Sequence, residues 1–406
     1  MESDVRKVTK PQVVVAGHIC LDITPDMSQM KIDSPEDFLH PGQLRQVDSP
    51  SLSTGGAVSN TGLALLRLGI SSILMGKIGK DPFGDVILKI LKDRWKINQG
   101  MIITPGEGTS YSIVLTPGNY DRMFLHYPGA NNTFVSDDIR YDVVSDASLF
   151  HFGYPPLMET LWKNDGRELV DMFKRVKDLH VTTSLDMACP DPSSPSGKID
   201  WKLILSKTLP YVDIFLPSAE EILFMLNPAR YRELWEASKP GGLLEAMTES
   251  DIIGLGSTLL EMGVKIAGIK CGTRGIYVRT APLSEINKIK RPGTWNPNEW
   301  ANKERWEPVY LVEDFVNATG AGDAAIAGFL AAFIRGYSVD YALRFAAAAG
   351  ACNVMAPDTL SGIMSWDETV ALVRSGWPKR PFKITTPGWI PISFGQWAGP
   401  RDQAFQ

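Results

Sequence analysis

The run from Val312 to Leu330 constrains this chain most. It holds a short loop, then a glycine-spaced turn at Gly320-Ala321-Gly322, then a strongly apolar helix expected from about Ala321 to Arg335. Gly320 and Gly322 lack a Cβ, so the backbone there can turn tightly and come close to a ligand. The first N–H groups of a helix have no partner within it. Together with the positive end of the helix dipole they make a place for an anion, most often a phosphate. Asp323 stands in that first turn. One reading makes it a favourable charge on a helix N-terminus, worth about 0.3–1 kcal/mol. The other makes it a general base that takes the proton of an attacking hydroxyl while main-chain amides hold the phosphate. Spacing alone leaves both open.

A helix so apolar needs a large body to bury it. The 406 residues suffice for one large α/β domain with an appendage, or for two domains. A net charge of −5 gives no bulk attraction to nucleic acid or to an anionic membrane. The longest apolar run, Ala324 to Ile334, is too short to span a bilayer. Cys20, Cys189, Cys271 and Cys352 are far apart and lack metal-ligand spacing, which suits a reducing cytosol. Residues 1–11 read as a charged leader without an apolar signal region, so the expected location is cytoplasmic.

The rest of the chain alternates. Residues 12–17, β-branched and ending in Gly17, read as a buried parallel strand. Asp22 follows, where open α/β sheets bind ligands; its plainer reading is a turn residue. Residues 25–46 are polar and proline-broken. Gly55-Gly56 then opens an apolar helix that carries Asn60 and stops at Gly69. A strand over 71–77 and a helix from 83 to 95, capped by Asp81-Pro82, come next. Residues 110–116 and 122–127 alternate around Pro117-Gly118-Asn119 as a hairpin. With the segment near 41–53 it predicts a small β lid. Beyond 148, strands near 149–152, 181–185, 214–216, 266–270 and 276–279 alternate with helices over 158–178, 219–226 and 251–262, and another helix spans 339–355. Such alternation predicts a mostly parallel sheet covered by helices. Residues 281–308 read as a surface insertion, and 376–406 as an extended tail rich in proline and tryptophan.

Four polar-glycine nodes fall at predicted strand ends: Asp22, Gly55-Gly56 with Asn60, the Lys270–Gly275 turn, and Gly320–Asp323. Together these residues resemble the ribokinase-like (PfkB-type) carbohydrate kinases from about residue 12 to 375. Asn317-Ala318-Thr319-Gly320-Ala321-Gly322-Asp323 is similar to the family's C-terminal signature, and Gly55, Gly56, Asn60, Gly69 and Gly79 to its first. The resemblance implies a three-layer α/β/α fold with a small β lid, domain limits of 12–375, and ATP-dependent phosphorylation of a sugar hydroxyl. By matched position, Asp323 would be the general base, and the amides of Gly320, Ala321 and Gly322 the anion hole. Asp22, Gly55, Gly56 and Asn60 would hold the sugar. Gly272, Gly275 and Thr319 would lie near the nucleotide, and Glu221 near a hydrated Mg²⁺. Phosphoryl transfer asks the protein mainly for positioning and charge stabilisation, which these residue types supply.

Three departures stand out. Ser218 replaces the asparagine of the family's Asn-x-x-Glu. Asn317 replaces an aspartate linked to a monovalent cation, so such a cation stays an open expectation. Val58 sits where a small residue is usual. The alternative from another class is a catalytically weak sugar- or nucleoside-binding relative with a regulatory role. A nicotinamide dehydrogenase is disfavoured, because Asp323 would repel a pyrophosphate at the helix start. A P-loop enzyme is disfavoured because no Gly-x-x-x-x-Gly-Lys-Ser/Thr occurs. The expected partner is a small sugar, with neither nucleic acid nor membrane, and a homodimer through the lid is compatible with the hairpin.

Overall fold

The computed structural model describes residues 11–31, 42–97, 99–117, 122–238, 242–290 and 295–402. Residues 1–10 of the expected leader, residues 32–41 of the proline-broken excursion and of the lid segment, and the hairpin-turn residues 118–119 lie outside the described residues.

A ten-stranded sheet organises the molecule. Its parallel half runs β4 (Ser72–Met75), β1 (Val13–Gly17), β9 (Leu149–Gly153), β10 (Thr182–Asp186), β11 (Ile214–Phe215) and β12 (Ile266–Lys270). The antiparallel half continues through β13 (Ile276–Thr280), β14 (Glu304–Glu307), β16 (Trp397–Ala398) and β15 (Ile390–Pro391). Alternation along each strand sends side chains to opposite faces. Val13 and Val15 join one core with helices α1 (Ala57–Arg67), α6 (Ala321–Ile334) and α7 (Val339–Asn353). Val14 and Ala16 join the other, with α3 (Glu159–Asp178), α4 (Ala219–Leu226) and α5 (Glu249–Glu261). The result is three layers. Helix α6 packs between α1 and α7, and its residues 323–333 are all buried, which is why it carries no polar face.

A separate four-stranded sheet forms the lid, in the order β3 (Asp48–Gly55), β2 (Cys20–Asp26), β7 (Tyr111–Leu115) and β8 (Met123–Tyr127). Helix α2 (Pro82–Trp95) packs on β2 and β3. Residues 71–77 do not form one strand: Gly76 divides β4 from β5 (Lys77–Gly79), and β5 pairs with β6 (Ile102–Thr104).

Two expectations need correction. Residues 281–308 are not a surface insertion. They end in β14, whose four residues are all buried in the central sheet, and Trp300 and Trp306 are 1 % and 0 % exposed. Nor is the tail merely laid on the body. Its β15 and β16 extend the sheet edge past β14, and Asp402 is buried beside Arg305.

Candidate active site

Asp323 sits where α6 begins. Gly320, the N-cap, has φ 77°, the left-handed region that favours glycine, and a Cβ there would press on Thr359 at 2.8 Å. The Asp323 side chain is only 4 % exposed, yet it is not sealed among apolar groups. Asn60 Nδ2 donates to Oδ2 at 3.1 Å, Tyr154 Oη donates to Oδ2 at 2.7 Å, and Thr61 Oγ1 donates to Oδ1 at 3.1 Å. Asn60 and Thr61 come from the first turns of α1, and Tyr154 from the residue after β9. The glycine pair therefore serves to bring α1 close. Gly56 is the N-cap of α1 with φ 84°, and a Cβ on it would lie 2.5 Å from His18. A Cβ on Gly55 would lie 2.2 Å from the Asp22 carboxylate.

Asp22 lies within lid strand β2, not in a turn beyond β1. In register it faces Ser53 on one side and Ser112 on the other, and Ser112 in turn faces His126. These residues share one face of the lid. Cys20 Sγ donates to Asp22 Oδ1 at 3.3 Å, and Ser112 Oγ lies 3.0 Å from His126 Nδ1. Burial pushes the Asp22 carboxyl up to about 6, against the opposing effect of its Cys20 and Ser112 hydrogen bonds. His126 Nε2 meets His18 Nε2 of the body at 3.3 Å, and burial holds both rings below the usual histidine range. His18 Nδ1 and Asn60 Oδ1 are buried without a partner among the described residues.

On the other side of the α6 N-terminus a cavity of about 520 Å³ opens. Ala321 and Gly322 of the glycine turn, Gly272 and Gly275 of the β12–β13 turn, and Lys270 all line it. Gly320 and Thr319 stand just outside the lining. The Thr319 amide donates to Asn317 Oδ1 at 2.6 Å. One expectation changes here: the Ala321 amide already donates to Ala318 O at 3.2 Å, which tightens the turn. Gly322 and Asp323 thus present the better-placed amides for an anion.

Lys270 Nζ donates to Asp186 Oδ1 at 2.7 Å. Burial alone would lower the lysine, but Asp186, Glu221 and Asp323 together outweigh it and hold it charged. Burial also pushes the Glu221 carboxyl up, opposed by Lys270. Glu221 has a second duty. Its Oε2 accepts from the Ser218 amide at 2.7 Å, and its own amide donates to Ser218 Oγ at 3.3 Å. Ser218 is the N-cap of α4 in a capping box, which accounts for serine at that position. Among the described residues no group of three or more His, Cys, Asp or Glu could hold a metal by itself. Mg²⁺ commonly takes one or two carboxylates together with water and phosphate oxygens, and Glu221, whose charge acts on the cavity-lining Lys270, fits that demand. A monovalent cation fits less well at Asn317. Its Nδ2 already donates to Ala356 O at 3.3 Å and Pro357 O at 2.9 Å, which are the kind of carbonyls such a cation would need.

Sequence reasoning missed Thr61, Tyr154, Asp186, His18 and His126, and named Lys270 only as part of a turn. Asp186 and Lys270 close their strands β10 and β12 at the carboxyl edge, a position that could have flagged them. Tyr154 carried no such signal, since its φ of 67° is visible only in the structure.

With this geometry in hand, the comparisons are direct. The profile of the pfkB family carbohydrate kinases matches residues 10–365. The chain belongs to that family. It is a carbohydrate kinase. Its relatives include a probable chloroplastic fructokinase-6 of Arabidopsis thaliana, 26 % identical over 366 residues, covering 87 % of this chain and 80 % of that one. An uncharacterised sugar kinase of Archaeoglobus fulgidus is also 26 % identical, covering 68 % of this chain and 89 % of the other. Among solved structures, ribokinase from Giardia lamblia superposes with TM-score 0.66 at 19 % identity, covering 90 % and 99 % of the two chains. Arabidopsis thaliana ribokinase complexed with ribose and ATP gives 0.64 at 19 % identity, with the same coverages. These identities speak for the fold. As in the family, the sheet, the helix layers and the small β lid are all present. Among the described residues no helix is long and apolar enough to cross a membrane.

Proposed function

We propose that this kinase transfers the γ-phosphoryl group of ATP to a hydroxyl of a sugar, with Asp323 as general base. One observation carries the reading. Asp323 stands in the first turn of a helix whose first two residues, Ala321 and Gly322, line a 520 Å³ cavity, while its carboxylate turns towards Asn60, Thr61 and Tyr154. A carboxylate offers about four acceptor positions. Three protein donors leave one for the attacking hydroxyl.

In the step itself the sugar O–H proton passes to Asp323 and its oxygen bonds to the γ-phosphorus. The bond from that phosphorus to the β–γ bridging oxygen breaks, and ADP leaves with the electron pair. The amides of Gly320, Gly322 and Asp323 stabilise the transferring oxygens, and Lys270 adds a positive charge. On the sugar side Asp22 and Asn60 Oδ1 accept from hydroxyls, and Gly55 and Gly56 let the backbone approach. Gly272, Gly275 and Thr319 flank the nucleotide. Mg²⁺, when bound, offsets the charge of the phosphate oxygens; Glu221 would hold it through water. The regulatory alternative leaned on Ser218, and its capping role removes that support. The exposed apolar side chains of the lid favour a homodimer through this sheet.

ATP consumption measured over a sugar panel, with fructose first because the curated plant relatives include fructokinases, tests the reading. Turnover with at least one sugar, lost in Asp323→Asn, is expected. No phosphorylation of any sugar, or an unimpaired Asp323→Asn, would overturn it.

A further inference from the structure

Residues 376–402 lie beyond the region matched to the family, 10–365, yet they help to build the cavity. Residues 377–380 run beside 309–311 as a clasp. The Leu311 amide donates to Pro378 O at 2.8 Å, the Arg380 amide donates to Val309 O at 2.9 Å, and Trp377 Nε1 donates to Leu311 O at 2.8 Å. The Trp377 ring stacks on Tyr310 with centroids 4.6 Å apart. The Lys379 ammonium pairs with the buried Glu307 and lies 4.6 Å from the Tyr310 ring centre. Val309, Tyr310 and Leu311 form a wall of the cavity, and the clasp fixes that wall from outside.

The same clasp carries Arg380 to the lining. Lys270 and Arg380 are the cationic members of that lining, which contains no carboxylate. Lys270 is already committed to Asp186. Arg380 is exposed, and its guanidinium has no partner among the described residues. An otherwise apolar cavity with two cations and no acid selects an anionic ligand with an apolar part. We propose that Arg380, contributed by the C-terminal extension, binds the phosphate chain of the nucleoside triphosphate in this cavity. The proposal rests on the kinase reading above. A guanidinium suits the role because its planar fork meets two phosphate oxygens at once, which an ammonium does not.

The test compares Arg380→Ala, Arg380→Glu and Arg380→Lys with the unaltered protein, using ATP and adenosine as probes in calorimetric titrations. Loss of a charge-assisted pair predicts an ATP Kd raised about ten-fold in Arg380→Ala. Arg380→Glu should be weaker still, and Arg380→Lys should recover part of the loss. The adenosine Kd should stay within about two-fold, because adenosine carries no phosphate. An unchanged ATP Kd in Arg380→Ala overturns the proposal. So does an equal loss for adenosine, which would mark Arg380 as packing for the base. If the unaltered protein itself fails to bind ATP, the nucleotide reading falls along with the proposal. If it binds ATP and Arg380→Ala matches it, the proposal falls alone.

Discussion

Asp323 holds three hydrogen bonds from protein donors and still has an acceptor position to spare, which sets what its replacement should do. In Asp323→Asn the remaining carbonyl oxygen can keep the Asn60 and Tyr154 donors, while the new NH₂ can donate to the Thr61 hydroxyl. The fold should survive and the base should not. We expect kcat to fall about 10²–10⁴-fold with sugar affinity nearly kept; steady-state kinetics on the purified variant decide it. Asp22 makes a pH prediction. Burial raises its carboxyl in the fold to about 6, above the ordinary value of 3.8. Between those values the folded state binds a proton that the unfolded state does not. Asp22 therefore stabilises the fold at low pH and loses that contribution as pH rises through about 6. Substrate binding should run the other way, because only the ionised form accepts twice from a sugar diol. The sugar KM should rise as pH drops below 6, and Asp22→Asn should abolish that slope. A persisting slope in the variant would assign it to another group. Asn317 predicts indifference to potassium, since its own amide reaches Ala356 O and Pro357 O. Replacing potassium by choline should leave kcat unchanged, and Asn317→Asp should introduce a potassium dependence, visible also as a potassium-dependent melting temperature.

At the scale of elements, the parallel half of the sheet was legible because its strands are short runs, mostly apolar or β-branched, set between predicted helices. Both faces of such strands are buried, so hydrophobicity alone marks them. Strand β14 was not legible for the opposite reason. Glu304-Arg305-Trp306-Glu307 looks like surface, yet all four residues are buried. Their charges are met by groups far away in sequence. Arg305 pairs with Asp340 and Asp402, Glu307 pairs with Lys379, and Glu304 accepts from Tyr277 Oη at 2.9 Å. A local reading cannot supply those partners, and the tail looked loose for the same reason. Trp306 ties the two halves together. Its Nε1 donates to Arg274 O at 2.7 Å, and its ring packs against Tyr277, Phe382 and Trp389. Trp306→Ala should cost about 3–5 kcal/mol, read as a lowered midpoint in urea. A shift near zero would mean that the tail does not fold as part of the domain.

Across the whole molecule, the site depends on contacts between residues 263 positions apart, as in Asn60 with Asp323. The signature residues were legible because their types and spacing announce a phosphate turn. The partners that orient them were not, because the topology, rather than the spacing, brings α1, β9 and α6 to one point. The lid shows the same division. Its register turns Asp22, Ser112 and His126 to one face, and alternation sends Ile23, Ile113, Leu125 and Tyr127 to the other. Helix α2 covers part of that second face through Phe83 on Tyr111. Leu52, Leu125 and Tyr127 remain 40 %, 54 % and 45 % exposed. An apolar sheet face left open in this way suits a second copy of the same chain, because a two-fold axis lays like surface on like. Sedimentation velocity across the micromolar range should then show a dimer. Leu125→Lys combined with Leu52→Lys, which alters neither Asp22 nor His126, should give a monomer. A monomeric unaltered protein, or a dimer indifferent to both lysines, would locate the association elsewhere or remove it.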